Sequence, residues 1–487
     1  MRPLHYAAAL VAGAATVLAF APIGAYPLEL AALALLAHLW MRASPGECFL
    51  AGFAFGLGLF GVGVSWIYVS LSQFGGMPPA LAALVTLLFC ALLALFPAAA
   101  GWLQARIPGP ELARALLLIP ASWTLFEWLR GWIFTGFPWL SAGYAATGWV
   151  LQGFAPLLGV YGLTFLTLAL AGALWAALAV RRYIVATLVI AGVLAGAAAL
   201  RGVAWTAPAG APLPVALLQG NVEQDLKFLP ERYARTLETY ASLAEGSSAK
   251  LIVLPETAIP RFLDRIDPRY LGRLEAAAVR NGGDLLMGVP IRAGIGEYYN
   301  SALSLGRSAP QAYYKTHLVP FGEFMAPGFH WVLRVLDIPL ADFSPGPEAQ
   351  PPIAAAGQRI AVNICYEDAF GAEIARRASD ATLLVNVSNV AWFGDSLAPA
   401  QHLQIASLRA IETGRMHLAA TNTGITAAIG RNGAVLARLP QFTEGRLEIL
   451  AQGYSGITPY MRLGDWPTLA AALLVLGATV LLARRRR

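Results

Sequence analysis

The sequence is poor in charge: 13% of its 487 residues are Asp, Glu, Lys or Arg, against about a quarter in an ordinary soluble domain. Hydrophobic residues make up 57% of the chain. This composition excludes a disordered or collagen-like polypeptide and disfavours a purely soluble protein. The chain has only three cysteines, so a disulfide-stapled scaffold is excluded as well.

Several common functional motifs are also missing. There is no CxxC, HExxH or P-loop motif, and no glycine-rich GxGxxG turn follows a predicted strand. We therefore predict no metal and no cofactor. Residues 208–465 contain only three lysines, at 227, 250 and 315, and no basic run. Nucleic acid is not a predicted partner.

The charges are unevenly distributed along the chain. Residues 1–207 carry 12, residues 466–487 carry 4, and the remaining 46 of the 62 fall in residues 208–465. This distribution predicts three parts. Transmembrane helices one to seven occupy 1–207, a soluble domain occupies 208–465, and a last transmembrane helix with an Arg tail occupies 466–487.

Eight apolar stretches are long enough to approach the ~20 residues that a membrane span requires. They lie at 4–20, 24–41, 49–70, 79–103, 113–129, 153–180, 183–200 and 467–483. A cleaved signal peptide is the competing interpretation of the first stretch, but further hydrophobic segments follow it at once. A bundle of about eight helices is predicted.

Arginine placement predicts the orientation of these spans, because cytoplasmic loops collect positive charge. With the N-terminus inside, the inner side receives Arg2, Arg42, Arg106, Arg114, Arg181, Arg182 and the Arg tail. The outer loops keep little beyond Arg130, which has Glu127 as a possible helical partner. This orientation predicts a multi-pass membrane protein whose soluble domain lies on the far side of the membrane, which in a bacterium would be the periplasm. We expect Glu29 and His38 to lie near span ends and reach the interface.

Aromatic side chains gather near the predicted outer ends of the spans. They are Trp66, Tyr68, Phe74, Trp128, Trp132, Phe137, Trp139 and Tyr144. Two interpretations remain open, a lipid-facing rim of the active site and an ordinary interfacial belt of aromatic residues.

Residues 208–465 have the pattern of an α/β domain. Short buried strands are predicted at 215–219, 251–254, 285–289, 360–364 and 382–386, with amphipathic helices at 230–244, 268–280 and 399–413 between several of them. Closely spaced runs near 418–421, 426–429 and 434–439 predict hairpins. Polar residues mark the strand ends, where open α/β folds place their chemistry.

Three strand ends carry side chains suited to nucleophilic catalysis. Glu256 could be a general base, Lys315 could stabilise an oxyanion, and Cys365 could be the nucleophile. Each has an ordinary alternative: a helix-capping Glu, a surface Lys and a buried inert Cys. His317 or His402 could instead be the base of a Cys–His enzyme. Spacing alone does not decide whether these side chains meet.

These residues together with longer strings carry a family resemblance. The strings are PE at 255–256, KTHLVPFGE at 315–323, CYE at 365–367, AWFGDS at 391–396, QH at 401–402 and TNTGIT at 421–426. The triad resembles that of the nitrilase superfamily. With the spans included, the whole chain resembles the bacterial apolipoprotein N-acyltransferases. The resemblance implies a membrane α-helical bundle joined to an αββα sandwich.

The resemblance also implies residue roles. Glu256 would be the general base, Lys315 the oxyanion stabiliser and Cys365 the nucleophile. Supporting roles fall to Glu323, Glu367 and Tyr366, whose backbone N–H would be a second oxyanion donor. Contacts with substrate are predicted for Phe228, Asn221 and Trp392. Two residues depart from the family pattern: Phe228 replaces an expected tryptophan, and Val390 an expected aspartate.

The implied reaction moves a fatty acyl chain from a phospholipid of the phosphatidylethanolamine type to a diacylglyceryl apolipoprotein. It proceeds through a Cys365 thioester with ping-pong kinetics. The predicted partners are this acyl donor, this acceptor and membrane lipids, and the enzyme would be a monomer. A membrane-anchored carbon–nitrogen amidase is the nearest alternative. A non-catalytic lipid-binding scaffold and a transporter are the others.

Overall fold

The computed structural model describes residues 1–227, 229–294, 296–324 and 342–485. It divides into two compact units. The first comprises Met1–Tyr68, Pro79–Ala204 and Leu463–Arg487, and the second comprises Val69–Pro78 and Trp205–Arg462. The second unit therefore includes a short segment, Val69–Pro78, that lies between two apolar helices in the sequence.

The first unit is built of helices. They are α1 (Pro3–Thr16), α2 (Tyr26–Met41), α3 (Pro45–Gly63), α4 (Trp66–Val69), α5 (Pro79–Arg106), α6 (Glu111–Ala113), α7 (Ile119–Arg130), α8 (Ala142–Ala145), α9 (Ala155–Val180), α10 (Tyr183–Arg201) and, at the end of the chain, α16 (Trp466–Arg485).

Five helical stretches in the described residues are long and apolar enough to cross a membrane. They are Pro45–Gly63, Pro79–Arg106, Glu111–Arg130, Val150–Val180 and Tyr183–Arg201. Three shorter apolar helices, Pro3–Ala19, Tyr26–Met41 and Trp466–Leu482, fall on the other three predicted spans. The unit is a bundle of apolar helices, as predicted, and by length and composition five of the eight stretches qualify as spans.

Glycines set the distance between α1 and α3. A Cβ at Gly13 would collide with the carbonyl oxygen of Phe55, and one at Gly58 with the carbonyl oxygen of Leu10. Small residues are common between membrane helices because they allow the backbones to pack closely. These two positions therefore require glycine for the observed packing of the two helices.

A buried ion pair fixes the connection after α7. Arg130 lies 3.8 Å from Glu127, which confirms the predicted helical partner. Arg130 also donates to the carbonyl of Trp139 (2.7 Å), and Glu127 accepts from the N–H of Ala142 (3.0 Å). Charged groups inside an apolar bundle are costly unless they are satisfied in this way.

Three of the aromatic residues considered for a lipid-facing rim are buried instead. Trp66, Trp139 and Tyr144 are at most 5% exposed, and Trp66 meets Trp139 edge-on with 5.4 Å between ring centroids. That part of the prediction was wrong, because these rings fill the interior of the bundle. Glu29 lies near the start of α2, as predicted, but it is buried and does not reach the interface, whereas His38 is exposed.

The second unit contains the strands. They are β1 (Ala207–Pro208), β2 (Leu213–Gln219), β3 (Leu251–Val253), β4 (Asp284–Gly288), β5 (Ile291–Gly294), β6 (Glu297–Tyr299), β7 (Ser301–Gly306), β8 (Gln311–Tyr314), β9 (Ile353–Ala355), β10 (Gln358–Ile364), β11 (Leu383–Ser388), β12 (His417–Thr421), β13 (Ala427–Ile429), β14 (Val435–Arg438), β15 (Gly445–Ala451) and β16 (Tyr454–Ser455). Its helices are α11 (Pro230–Glu245), α12 (Pro268–Arg280), α13 (Gly371–Ala378), α14 (Ala398–Thr413) and α15 (Pro459–Leu463).

Two six-stranded sheets organise this unit. The first has the order β15-β2-β3-β4-β7-β8, and the second has the order β14-β13-β12-β11-β10-β9. The central strands β2, β3 and β4 are parallel, as are β10, β11 and β12. The outer strands are antiparallel additions. The carboxyl ends of the parallel strands therefore meet at one edge of each sheet.

The sheets pack face to face and are covered by helices on their outer faces. Val215 of β2, Val362 of β10 and Val385 of β11 belong to one buried cluster between the sheets. Ala216 points the other way, into a cluster with Tyr240 of α11 and residues of α12. This alternation follows from the two-residue period of a strand. The predicted αββα sandwich is confirmed.

Candidate active site

The three predicted catalytic side chains lie at strand ends, two on the first sheet and one on the second. Glu256 follows β3 and Lys315 follows β8, whereas Cys365 follows β10. The Nζ atom of Lys315 lies 3.6 Å from Oε1 of Glu256. Both charges act electrostatically on the Cys365 thiol. The structure thus brings together the three residues that spacing alone could not join.

Cys365 occupies a tight turn with an unusual backbone conformation. Its φ is +54°, a left-handed value that residues other than glycine seldom adopt. Its carbonyl oxygen is held by Asn386 Nδ2 and by the His402 ring, each at 3.2 Å. Backbone strain of this kind persists only where the surrounding contacts enforce it, and it is common at functional sites.

Two asparagines position the carboxylates of the site. Asn300 Nδ2 donates to one oxygen of Glu256 and to one oxygen of Glu323, both at 2.7 Å. The backbone N–H of Asn389 donates to the other Glu256 oxygen at 2.8 Å. Lys315 Nζ donates to Glu323 at 2.8 Å. Lys315 therefore lies between two carboxylates that these hydrogen bonds hold in place. Neither asparagine was among the predicted site residues.

Burial and neighbouring charges together keep the Cys365 thiol protonated and the Lys315 amine charged. Burial, reinforced by the negative charge of Glu256, raises the pKa of Cys365 to about 12 despite the opposing effect of Lys315. Burial alone would lower the pKa of Lys315, but Glu323 and Glu256 raise it above its usual range. A neutral thiol beside a carboxylate needs that carboxylate to remove its proton when it attacks.

Glu367 joins the Lys315 strand end to the Cys365 strand end. One of its oxygens accepts the N–H of Thr316 at 2.9 Å, and the other accepts the N–H of Ile364 at 2.8 Å. Tyr313 and Arg377 also bind this fully buried carboxylate, at 2.8 and 3.2 Å. One side chain thus fixes segments that belong to two different sheets.

We expect Glu367→Gln to slow the covalent reaction predicted for Cys365 at least tenfold and to lower the thermal midpoint of the purified protein. The glutamine amide would place an N–H donor next to the backbone N–H groups of Thr316 or Ile364, which are donors themselves. It would also leave Arg377 without its buried charge partner. Breaking such a pair typically costs about 3–5 kcal/mol. The rate is measured by intact mass and the midpoint by thermal unfolding in detergent.

Glu373→Gln is the matched control for this prediction. Glu373 contacts Arg377 at 3.3 Å and His317 at 3.0 Å, but it is part-exposed and belongs to α13. We expect a small effect on both measurements. Equal losses in the two variants would show that Glu367 does not position the strand ends.

The two histidines considered as alternative bases have other contacts. His402 lies 3.4 Å from Asp368 in addition to the Cys365 carbonyl, and His417 lies 3.0 Å from the same carboxylate. Burial alone would raise the pKa of Asp368, but these two histidines hold it below its usual range.

His317 pairs with Glu373 and stacks on Phe370 at 3.4 Å between ring centroids.

The remaining predicted residues are less central. Tyr366 packs edge-on against Phe370, with 5.1 Å between ring centroids, and its N–H as an oxyanion donor stays a prediction. Asn221 Nδ2 donates to the carbonyl of Phe442 at 3.0 Å. Phe228 lies outside the described residues. Substrate contacts of Asn221 and Phe228 therefore also stay predictions.

Trp392 meets the short segment Val69–Pro78 of its own unit. Its carbonyl accepts from Ser70 Oγ at 2.7 Å, and its ring lies edge-on to Phe74 with 6.2 Å between centroids. Val390, the second departure from the family pattern, is buried and packs against Gly424. An apolar side chain therefore fits the buried position of Val390. The contact of Trp392 with substrate stays a prediction.

Comparison with protein families matches two models to this chain. Apolipoprotein N-acyltransferase N-terminal domain matches residues 12–173, and Carbon-nitrogen hydrolase matches residues 214–452. An apolipoprotein N-acyltransferase of Nitrosomonas europaea is 47% identical over 99% of this chain and 98% of its own length. The chain belongs to the apolipoprotein N-acyltransferase family. A relative of the same name from Methylococcus capsulatus is 46% identical over 98% of this chain and 96% of its own length.

Two solved structures are similar to about half of this chain. A carbon-nitrogen hydrolase from Helicobacter pylori G27 is 19% identical, with a TM-score of 0.38, covering 53% of this chain and 94% of that one. An amidase from Nesterenkonia sp. is 19% identical, with a TM-score of 0.37, covering 55% of this chain and 98% of that one. The fold assignment itself rests on the strand order and on the Carbon-nitrogen hydrolase match.

Proposed function

We propose that this chain transfers a fatty acyl group from a membrane phospholipid, of the phosphatidylethanolamine type, to the N-terminal α-amine of a diacylglyceryl-cysteine apolipoprotein. The observation that carries the proposal is the Glu256–Lys315 ion pair beside Cys365 in a member of the N-acyltransferase family. Residues 208–465 would be the catalytic domain, set between transmembrane helices.

The first half-reaction forms a thioester. Glu256 takes the proton of the Cys365 thiol, and the sulfur attacks the ester carbonyl of the phospholipid. Lys315 and the N–H of Tyr366 stabilise the oxyanion that develops. The carbon–oxygen bond then breaks, Glu256 returns the proton to the departing glycerol oxygen, and lysophospholipid leaves. Glu323 keeps Lys315 in place throughout.

The second half-reaction discharges the thioester. The neutral α-amine of the acceptor attacks the thioester carbonyl, and the same donors stabilise the second oxyanion. The carbon–sulfur bond breaks, and one amine proton passes through Glu256 to the sulfur. The products are an N-acylated lipoprotein and free Cys365, which is the ping-pong sequence of a covalent mechanism.

The proposed location follows from the arginine distribution. Placing the N-terminus in the cytoplasm puts most flanking arginines on the inner side and the catalytic domain in the periplasm. Both proposed substrates are lipids, so a membrane anchor brings the active site to them. We propose the bacterial inner membrane as the location and a monomer as the functional unit.

The test is intact mass of the purified protein after incubation with phosphatidylethanolamine. We expect a fatty-acyl increment that a diacylglyceryl-cysteine peptide discharges, with the acyl group recovered on the peptide amine. An increment discharged only by water or ammonia would contradict the proposal and favour the carbon–nitrogen amidase. No increment in folded protein would contradict it as well.

A further inference from the structure

The half-reactions above do not use the backbone carbonyl of Cys365, although two side chains hold it. Asn386 of β11 donates to this oxygen from Nδ2 at 3.2 Å, and Nε2 of His402, from α14, lies 3.2 Å from it. Both side chains are buried. The oxygen has no part in the attack of the sulfur or in its departure. Its two contacts therefore point to a role that lies elsewhere in the same peptide group.

The neighbours of His402 decide which of its ring nitrogens carries a hydrogen. Nε2 lies 3.2 Å from the Cys365 carbonyl oxygen and 3.4 Å from Oδ2 of Asp368. Burial would raise the pKa of Asp368, but His417 and His402 hold it below its usual range, so the carboxyl stays ionised. Both neighbours of Nε2 are then acceptors, and Nε2 must be a donor.

A buried carboxylate directs this donor. Asp368 is fully buried, and its other oxygen accepts from His417 Nε2 at 3.0 Å and from Asn363 Nδ2. A cavity that extends to Thr421 borders both Asp368 and His402. Packing therefore leaves open space beside the imidazole ring, and the fixed carboxylate is what orients its N–H.

The Cys365 carbonyl belongs to the same peptide group as the N–H of Tyr366. A trans peptide is planar, and its C=O and N–H point in opposite directions. Holding the carbonyl toward Asn386 and His402 therefore turns the Tyr366 N–H away from them. Donors on the carbonyl oxygen also polarise the peptide and strengthen its N–H as a donor.

The backbone at Cys365 would favour another orientation of this peptide if those contacts were lost. The φ of Cys365 is +54°, a left-handed value that costs free energy in a residue with a side chain. Such a conformation persists only where the surrounding contacts enforce it. The hydrogen bonds on the carbonyl are contacts of that kind.

We propose that His402 and Asn386 are positioning residues, which hold the peptide between Cys365 and Tyr366 so that its N–H faces the developing oxyanion. The inference rests on the proposed function, in which that N–H is one of two oxyanion donors. Neither side chain touches the substrate or transfers a proton. Asp368 acts one step further away, because it orients the N–H of His402.

The experiment compares two reactions of the same thiol. Acyl-enzyme formation from phosphatidylethanolamine develops an oxyanion, whereas alkylation by iodoacetamide is a displacement at carbon that develops none. Both reactions need the Cys365 thiol in place and deprotonated. The readout is the ratio of the acylation rate to the alkylation rate, each measured by mass spectrometry of the peptide that contains Cys365.

His402→Leu removes the donor and keeps an apolar side chain in the buried position. We expect the ratio to fall about tenfold, near the contribution of one hydrogen bond, because Asn386 still holds the carbonyl. Adding Asn386→Leu should lower the ratio by about 10²–10³-fold in total, as for the loss of an oxyanion donor. Thermal unfolding in detergent shows that each variant is folded.

His402→Gln is the conservative variant. Its side-chain NH₂ can donate to the Cys365 carbonyl and to Asp368 at once, so the ratio should stay within about threefold of the parent value. His317→Leu is the matched control, the same substitution at a histidine that pairs with Glu373 and stacks on Phe370. It should keep the parent ratio.

A spectroscopic measurement reports on the oxyanion donors directly. The acyl-enzyme is formed from a phospholipid labelled with carbon-13 at its ester carbonyl, and the infrared band of the labelled thioester is recorded. We expect this band at higher wavenumber in His402→Leu than in the parent, because weaker donors polarise the carbonyl less. His402→Gln should give a band close to that of the parent.

Three outcomes would overturn the inference. An unchanged ratio in His402→Leu, including a parallel loss of both rates, would show that His402 only supports the fold. A ratio in His402→Gln as low as in His402→Leu would show that donation to the carbonyl is not its role. The third is an unshifted thioester band in His402→Leu. Failure of the parent protein to form any acyl-enzyme would instead refute the proposed function, before any variant is compared.

Discussion

Cys365→Ala is expected to form no acyl-enzyme and to transfer no acyl group, a loss of about 10⁴-fold or more. The substitution removes the sulfur at the carboxyl end of β10, and water has no comparable route to an acylated intermediate. Intact mass after incubation with phosphatidylethanolamine measures the first half-reaction, and peptide acylation measures the second.

Cys90→Ala provides the control for this result. Cys90 is also buried, but it belongs to α5 and has no part in the proposed chemistry. This variant should acquire the acyl increment and lose it to the peptide at rates close to those of the parent. A stable acyl increment on Cys365→Ala, or one mapped to a peptide without residue 365, would refute the assigned nucleophile.

Lys315→Met is expected to lower the rate of acyl-enzyme formation by about 10²–10³-fold, the usual effect of losing one oxyanion donor. The loss should also change the pH dependence. Without the ammonium, the carboxylates of Glu256 and Glu323 face one another through Asn300. The negative charge of Glu256 then acts on the Cys365 thiol without the opposing effect of Lys315, so the pKa of the thiol rises further and the rate profile should move to higher pH.

The pH dependence separates an electrostatic role of Lys315 from a merely structural one. Rates of acyl-enzyme formation between pH 5 and pH 9 give the profile, with Lys250→Met as the exposed-lysine control. A slower variant whose pH profile stays in place would contradict an electrostatic effect of Lys315 on the Cys365 thiol. Full activity at pH 7 would contradict the role of Lys315 as a donor.

The sequence predicted the strand ends well because buried strands leave a strong pattern. The apolar runs before Glu256 and Cys365 stop abruptly at polar residues, and the structure ends β3 and β10 close to those points. Helix α12 was predicted with its observed bounds because Pro268 at its start and Asn281 after its end mark both limits. The two-sheet arrangement itself came from the resemblance, not from the pattern.

The same reasoning missed β7 and β15, whose residues are less distinctive. Strand β7 contains two serines, and Ser304 Oγ makes a hydrogen bond with the backbone of Gln311 across the hairpin. Strand β15 is mostly half-exposed along its length. Its partner is β2, where Ala216 pairs with Glu448. The two strands lie more than two hundred residues apart, so no hairpin turn in the sequence marks β15 as a strand.

The positioning residues of the site were equally hard to predict. Asn300 and Asn389 matter because their amides meet the two carboxylates, and this depends on how two sheets pack. A weak sign was available, since Asn389 directly follows the buried strand β11. Lys227 is also buried, at 2% exposed, and its burial had no such sign, because a lysine in a polar loop is normally exposed. Contacts made across the sandwich are the part that one sequence does not reveal.

The reactive groups lie on opposite sheets, so the structures that set their spacing are separate from the loops that contact substrate. The distance from the Glu256–Lys315 pair to Cys365 depends on how the two sheets pack. Glu367 fixes this packing at the site because it binds backbone N–H groups at a strand end of each sheet. Loops at this edge can then lengthen, shorten or change composition without altering that distance. Substrate choice and reactivity can therefore change independently on this scaffold.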